Sequence, residues 1–230
     1  FISALLFRLG NVKKNIGYNR EGRGFLLDFS PEINYHKHYI NRYAFLFNEY
    51  IGNKYVYLPE LSLRHTGQKT FQFDNSHKTI ALYLGGENKE FRKYPDEYAV
   101  QLLRLLNRQG YNLLLIGDEN DNIKHTQYAE EARIDHLINL TARTTIEGFI
   151  NTIANVDLII TIDSSALHIA AAVKTPFIAL MGLSTSPTST ILPKVPLGRI
   201  LKIENNLIRE EDYIRNITPD LILKTISELI

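Results

Sequence analysis

Short, almost continuously apolar runs alternate with segments of helical periodicity from Lys78 to the end of the chain. In residues 95–108, for example, Tyr98, Leu102 and Leu106 recur at the four-residue spacing of an amphipathic helix. Strands that alternate with helices predict a parallel sheet whose two faces are covered by crossover helices. The pattern predicts strands at residues 79–84, 112–116, 137–140, 156–162, 177–182 and 200–203, and helices at 95–108, 122–133, 145–154, 210–217 and 218–230.

Residues 78–230 are therefore predicted to form one complete Rossmann-like domain of the α/β class, whereas residues 1–58 differ in composition. The latter contain eight Lys or Arg residues against four Asp or Glu residues, together with many aromatic side chains. Residues 36–51 are compatible with a helix that carries an aromatic face. That face either packs on a neighbouring sheet or forms part of an acceptor or membrane-surface site. The polar residues 59–77 predict a linker.

The composition of the chain argues against several classes of protein. With 230 residues, of which 44% are hydrophobic and 22% charged, the chain is predicted to be soluble and globular. A formal net charge of +1 gives no strong overall attraction to nucleic acid. The absence of cysteine excludes disulfide frameworks and thiolate metal sites. No apolar run reaches the ~18 residues of a membrane span, and the apolar residues 1–7 lack the basic leader of a secretory signal.

The densest group of candidate site residues follows the strand predicted at 156–162. Asp163, Ser164 and Ser165 come directly after it, and a helix beginning there would place His168 on the same face as the serines. A helix N-terminus at the carboxyl edge of a parallel sheet is suited to anions and nucleotides. The plainer alternative for His168 is an ordinary helix histidine. The serines do not lie in a Gly-x-Ser-x-Gly turn, which argues against a Ser-His-Asp hydrolase.

Two further loops are predicted to reach the same edge and to contact a ligand there. After the strand at 79–84, Gly85 and Gly86 allow close approach of the backbone, and Lys93 supplies a cation for a phosphate. A solvated turn with a surface lysine is the alternative for this loop. After the next strand, Gly117 begins an acidic loop that either holds a ribose or adenine group or caps a helix.

The loop at residues 141–147 has a structural explanation of its own. Thr144 is followed three residues later by Glu147, which is the spacing of a capping box. We therefore expect Thr144 to cap the helix predicted at 145–154.

Taken together, these motifs resemble glycosyltransferase family 9, the ADP-heptose:lipopolysaccharide heptosyltransferases and their relatives. The run from Asp163 to Gly182 is similar to the family pattern Asp-Ser/Thr-Gly-x-x-His-x-x-Ala-Ala…Pro…Gly. Lys93-Tyr94-Pro95 is similar to the family's Lys-Trp-Pro, and Asp121 stands where members often carry Glu. The resemblance extends over residues 78–190.

The resemblance implies a GT-B architecture, in which two Rossmann-like domains flank the active site, and a complete C-terminal domain with part of an N-terminal one. It implies inverting, metal-independent transfer of a heptose from an ADP-sugar to lipopolysaccharide core, with no cofactor. Lys93 would hold a phosphate and assist departure of the diphosphate, while Asp163 and His168 would contact the sugar. The implied nucleotide-sugar site comprises Gly85, Gly86, Asn88, Asp121, Thr144, Ser164, Ser165, Ala166 and Leu167.

The chain departs from the family pattern in four respects. Ser165 stands where the family signature has Gly, Tyr94 replaces Trp, and Asp121 replaces Glu. The family's opening strand–loop–helix, with the carboxylate regarded as the general base, has no counterpart here, so no general base is assigned. We expect residues 1–58 to be a partial acceptor-side domain that lacks about 80 residues of a normal domain.

Two alternatives remain: a nucleotide-sugar-binding module without transfer activity, and another GT-B nucleotide-sugar enzyme. A preference for UDP over ADP would favour the latter. The partners implied by the resemblance are a nucleotide-sugar donor and lipopolysaccharide core or another glycolipid acceptor, with no nucleic acid. A lipid-linked acceptor implies a cytoplasmic protein with peripheral contact at the inner face of the cytoplasmic membrane.

Overall fold

The computed structural model describes residues 1–34, 41–55, 62–182, 193, 195–203 and 209–230. The described residues fall into two compact units, one that contains those up to residue 55 and one that contains those from residue 62 onward. The domain boundaries predicted from the sequence, 1–58, 59–77 and 78–230, stay predictions.

The first unit contains two α-helices among its described residues, α1 (Ile2–Leu9) and α2 (Arg42–Tyr50). The buried Asn15 side chain joins α1 to the following turn, because its Nδ2 donates to Ala4 O at 3.2 Å and to Leu26 O at 3.0 Å. The helix predicted at 36–51 is confirmed from Arg42 onward, and residues 36–40 lie outside the described part of the chain.

The second unit is built on a parallel sheet that confirms the predicted α/β class. Within the described residues it has six strands in the order β3-β2-β1-β4-β5-β6. The strands are β1 (Thr79–Tyr83), β2 (Asn112–Leu115), β3 (Leu137–Asn139), β4 (Leu158–Ile162), β5 (Phe177–Leu180) and β6 (Gly198–Leu201). The helices are α3 (Asp96–Arg108), α4 (Asn122–Ala132), α5 (Ile146–Ala154), α6 (Ser165–Val173) and α7 (Pro219–Ile226).

The core of this unit lies around the four inner strands. Every residue of β1, β2, β4 and β5 is buried, as expected for central parallel strands with both faces covered. The outer strands β3 and β6 are only partly buried. The apolar runs therefore predicted the inner strands closely. No helix among the described residues is long and apolar enough to span a bilayer.

The predicted capping box of α5 is wrong. The helix begins at Ile146, and Thr145, not Thr144, is its N-cap, with Oγ1 accepting from Gly148 N at 3.1 Å. Ile146, the first residue of this helix, is 82% exposed. The shift arises because either threonine satisfies the local capping preference, and the packing of α5 selects one of them.

Two other predicted helix details also differ from the structure. Residues 210–217 were predicted as a helix, and the structure has a 3₁₀ helix there, Glu210–Asn216. Pro95 was expected in the first turn of α3 and instead occupies its N-cap position. Proline's fixed φ suits both positions, so the sequence alone does not choose between them.

The segment predicted as a linker contacts α5. Thr66 N donates to Asn151 Oδ1 at 3.1 Å, and the hydroxyls of Thr70 and Thr152 are 2.5 Å apart. The described residues from 62 to 77 are therefore attached to the second unit.

Candidate functional site

The loops that follow β1, β2 and β3 are joined to one another at the carboxyl edge of the sheet. Lys89 Nζ, in the loop after β1, is 3.1 Å from Asp118 Oδ2 in the loop after β2. Ala142 N, in the loop after β3, donates to Gly117 O at 3.2 Å. All six strands are parallel, so the loop after β4 leaves from the same edge. The predicted convergence of these loops is confirmed.

The two glycines after β1 are required by packing within the protein. Gly85 has a φ of +80°, and a Cβ at this position would lie 2.7 Å from Ile162 Cδ1. A Cβ on Gly86 would lie 2.6 Å from Asn120 O and 2.7 Å from Asp121 Cα. A ligand is therefore not needed to explain either glycine, because any side chain would separate the loops.

Ser164 is the N-cap of α6, and its hydroxyl is used within the protein. Thr161 Oγ1 donates to Ile162 O at 2.9 Å. The 2.9 Å contact between Thr161 and Ser164 is therefore donated by Ser164, whose lone pair accepts from Ala166 N at 3.2 Å. The hydroxyl fixes the start of the helix, so what remains for a ligand at this N-terminus is backbone N–H groups and the helix dipole.

The other predicted residues of the β4–α6 junction lie around this cap. Asp163 is half-buried directly before it, and Ser165 is exposed as the first helical residue. Ala166 and Leu167 are buried, and His168 is half-buried one turn into α6. The structure thus places all the predicted residues of this segment at one strand–helix junction on the carboxyl edge.

Lys93 is held by an ion-pair cluster at the start of α3. Its Nζ is 2.8 Å from Asp96 Oδ1, and Lys124 Nζ is 3.1 Å from Asp96 Oδ2. The Tyr128 hydroxyl donates to Asp96 Oδ1 at 2.5 Å. Burial alone would raise the pKa of Asp96, but the hydrogen bonds from Lys93, Tyr128 and Lys124 outweigh it and hold that pKa at about 2.

A cleft of about 290 Å³ lies beside Lys93, between the start of α3 and the 3₁₀ helix Glu210–Asn216. Its arginines are paired with acids: Arg209 Nη2 is 3.0 Å from Asp212 Oδ2, and Arg215 Nη1 is 3.2 Å from Glu97 Oε1. The charges of the cleft therefore neutralise one another to a large extent.

The capping alternative for the acidic loop after β2 is confirmed. Asp118 Oδ1 accepts from Asn120 N at 2.8 Å, and Asp121 Oδ2 accepts from Asp118 N at 3.0 Å. Asp121 is fully buried, whereas the Asp118 side chain is 48% exposed at the mouth of the loop. Burial raises the pKa of the neighbouring Tyr83 hydroxyl, and the negative charges of Asp121 and Asp118 raise it further. The exposed carboxylates of this loop are therefore those of Asp118 and Glu119, whereas that of Asp121 is buried.

His125 lies beneath the same loop and is completely buried. Its Nδ1 is 2.7 Å from Thr141 Oγ1, and a Cβ on Gly117 would lie 3.2 Å from its Cε1. Burial lowers the pKa of His125 from 6.5 to about 4, against the opposite effects of Asp121 and Asp118. The imidazole is therefore neutral and supports the loops from below.

Comparison with known proteins assigns the family. The model of "Glycosyltransferase family 9 (heptosyltransferase)" matches residues 1–211. The chain belongs to glycosyltransferase family 9.

Relatives within this family carry the names of heptosyltransferases. The chain is 31% identical to lipooligosaccharide heptosyltransferase 2 of Haemophilus influenzae over 66% of its own length and 47% of the relative's. It is 25% identical to lipopolysaccharide heptosyltransferase 2 of Salmonella typhimurium over 70% of its length and 49% of the relative's. The chain thus spans about half the length of the curated relatives that it matches.

Solved structures of the family share the fold. ADP-heptose lps heptosyltransferase II of E. coli superimposes with a TM-score of 0.77 at 22% identity, covering 99% of this chain and 73% of that one. The E. coli heptosyltransferase WaaC with ADP superimposes with a TM-score of 0.69 at 15% identity, covering 94% of this chain and 65% of that one. This likeness assigns the GT-B type of α/β fold.

The family 9 resemblance also assigned Thr144 and Asn88 to the nucleotide-sugar site. Thr144 is half-buried directly before the N-cap of α5. Asn88 lies in the 3₁₀ helix Glu87–Arg92, and its side chain is outside the described part of the structure. Among the described residues, no group of three His, Asp or Glu side chains is placed to hold a metal ion.

Within the acidic loop after β2 the sequence prediction singled out Asp121, whereas the structure leaves Asp118 exposed at the mouth of the loop. Asp118 directly follows Gly117 at the end of an apolar run, which is the position where a functional carboxylate is expected.

Proposed function

We propose that the chain provides the donor-binding part of a glycosyltransferase that transfers a heptose from an ADP-sugar to lipopolysaccharide core. Membership of family 9 and the names of its relatives support this reaction. The observation that carries the proposal is the start of α6, a nine-residue helix whose N-terminus lies at the carboxyl edge directly after β4. Such a terminus attracts the negative charge of a diphosphate.

The proposed reaction displaces the diphosphate from the sugar. An acceptor hydroxyl attacks the anomeric carbon from the face opposite the diphosphate, the bond from that carbon to the diphosphate oxygen breaks, and ADP leaves with inversion at the anomeric carbon. A base takes the hydroxyl proton, and we assign that base to no residue of this chain. Because negative charge develops on the departing ADP, helix amides and cations at the edge assist the step without a metal ion or cofactor.

The proposal gives a role to most of the predicted site residues. Asp163 and His168 contact the sugar, and residues 164–167 supply backbone N–H groups to the diphosphate, with Asn88 beside it. Thr144 and the loop after β2 border the nucleoside. The fully buried Asp121 acts there by holding the backbone of Asp118 rather than by touching the ligand.

The proposed acceptor also suggests a location. Lipopolysaccharide core is attached to a lipid, so the reaction takes place at a membrane surface. We place the protein in the cytoplasm with peripheral contact at the inner face of the cytoplasmic membrane.

Calorimetric titration of the chain with ADP, UDP and GDP tests the donor class. We expect ADP to bind at least tenfold more tightly than UDP or GDP, which corresponds to about 1.4 kcal/mol of binding free energy. Adenosine serves as the control for binding through the nucleoside alone. A preference for UDP or GDP would assign a different nucleotide sugar, and absence of binding to all three nucleotides would overturn the donor site.

A further inference from the structure

Two completely buried polar side chains connect α4 with the turn that follows β3. His125 lies near the start of α4 and Thr141 lies in the turn, and neither is accessible to solvent. His125 Nδ1 is 2.7 Å from Thr141 Oγ1, and Thr141 N donates to Asn139 Oδ1 at 3.0 Å. Because a buried polar group costs stability unless it is hydrogen-bonded, the imidazole and the hydroxyl depend on one another.

The turn after β3 contains a strained residue. Arg143 N donates to Leu140 O at 3.0 Å and closes a four-residue turn around Thr141 and Ala142. Ala142 has a φ of +60°, in the left-handed region that glycine or asparagine adopts readily at this position of a turn and that alanine adopts only at an energetic cost. A strained backbone of this kind persists only where its surroundings hold it in place.

Two contacts with the β2 side hold this turn. Ala142 N donates to Gly117 O at 3.2 Å, and the Thr141 hydroxyl meets His125 at 2.7 Å. Gly117 is itself packed from below, because a Cβ on it would lie 2.8 Å from Asp121 Oδ2 and 3.2 Å from His125 Cε1. The contact between Thr141 and His125 is the shorter of the two and is shielded from water, so it contributes the greater part of the restraint.

The turn after β3 and the loop after β2 carry the residues that we assign to the nucleoside. Thr144 comes directly after the turn, and Asp118 comes directly after Gly117. Movement of the turn would therefore shift Thr144 relative to Asp118. His125 and Thr141 are buried too completely to touch a ligand themselves, so any effect they have on binding acts through these two loops.

We propose that His125 and Thr141 are positioning residues for the nucleoside half of the donor, because their buried hydrogen bond holds the strained turn after β3 against the loop after β2. This inference rests on the proposed donor site and goes beyond it by naming two residues, out of the ligand's reach, on which nucleoside affinity depends. The diphosphate is assigned to the start of α6, which follows β4. Three strand spacings, about 14 Å, separate β3 from β4, so losing the hydrogen bond should weaken nucleoside binding and leave diphosphate binding unchanged.

The test is Thr141→Val in the 230-residue chain, which removes the hydroxyl and keeps a side chain of similar size. Calorimetric titration with ADP and with inorganic pyrophosphate is carried out well below the thermal midpoint of each variant. We expect Thr141→Val to weaken ADP binding roughly 3- to 10-fold and to leave pyrophosphate binding within about twofold. Thr141→Ser keeps the hydroxyl and should retain the ADP affinity of the unchanged chain. His125→Phe combined with Thr141→Val should lose no more ADP affinity than His125→Phe alone, because the two residues act through one bond.

Thr175→Val is the matched control. Thr175 is also buried, and its hydroxyl donates one hydrogen bond, to Ile153 O at 2.8 Å. It lies just before β5, at the amino edge of the sheet and therefore opposite the candidate site. This variant should lower the thermal midpoint, as Thr141→Val does, without changing the affinity for ADP.

Three outcomes would overturn the inference. Unchanged ADP affinity in Thr141→Val shows that the hydrogen bond only stabilises the fold. Equal losses of ADP and pyrophosphate affinity, or an equal loss of ADP affinity in Thr175→Val, show a general loosening of the protein. Failure of the unchanged chain to bind ADP is a distinct result, because it overturns the proposed function itself and this inference with it.

Discussion

At the scale of single residues, several polar groups of the carboxyl edge act on the protein rather than on a ligand. Asp121 holds Asp118 N at 3.0 Å, Ser164 caps α6, and His125 supports the loop after β2 from below. A buried polar group costs stability unless it is hydrogen-bonded or kept neutral. The rigidity of this edge therefore depends on the protonation of the groups beneath it.

His125 is predicted to make stability depend on pH. Its pKa is lowered from 6.5 to about 4 in the folded chain, so between these values the unfolded chain binds a proton that the native chain excludes. The free energy of unfolding has its full value above pH 6.5. It falls by up to about 3 kcal/mol as the pH is lowered toward 4. Urea unfolding of the unchanged chain and of His125→Gln at pH 7, 6, 5 and 4 measures this loss.

The variant should show a shallower fall of unfolding free energy between pH 7 and 4, because glutamine does not titrate. His136→Gln is the matched control, since His136 is exposed. The explanation fails if His125→Gln and the unchanged chain lose stability in parallel over this range.

At the scale of elements, helix caps decide where the loops of the edge end. α5 is capped by Thr145, α6 by Ser164 and α7 by Thr218, whose Oγ1 accepts from Leu221 N at 3.3 Å. Each hydroxyl satisfies a backbone N–H group that the helix leaves without an internal partner. The two neighbouring threonines before α5 allow the cap to be tested by substitution.

Thr145→Ala should lower the free energy of unfolding by about 1 kcal/mol, because it leaves Gly148 N without its acceptor. Thr144→Ala, the matched control, should change it by less than about 0.5 kcal/mol. Urea unfolding at neutral pH compares the two variants. A larger effect of Thr144→Ala would restore the capping box with Glu147.

At the scale of the whole second unit, the carboxyl edge is held together by close backbone contacts between loops that are distant in sequence. Gly86 lies against Asn120 and Asp121, and Gly182 lies against Phe91. These contacts are between backbone atoms, which cannot move aside as a flexible side chain can. The edge should therefore tolerate side chains poorly at these glycines.

Gly86→Ala is predicted to destabilise the chain by about 1–3 kcal/mol, because its Cβ would lie 2.6 Å from Asn120 O. Gly148→Ala is the control: it lies within α5, its nearest contact would be 3.4 Å, and alanine should stabilise the helix by about 0.5–1 kcal/mol. Thermal unfolding measures both. A neutral Gly86→Ala variant would contradict the close packing of the loops.

The sequence by itself determined the class of fold and the family. Apolar runs such as residues 158–162 and 177–180 are buried on both faces, so their composition alone indicates inner parallel strands. Because the sheet is parallel, the polar residues that follow each strand must meet at one edge, and the motif from Asp163 to Gly182 was sufficient to indicate family 9.

Only the tertiary structure decided how the charged and capping residues of that edge are used. Lys93 and Arg92 are neighbours in the sequence, but Asp96 neutralises the first and no described residue neutralises the second. Asp121 and Asp118 belong to one acidic loop, yet one is buried and the other exposed. Such differences depend on which side chains packing brings within hydrogen-bonding distance, and residue type and spacing alone do not show which of the possible pairs form.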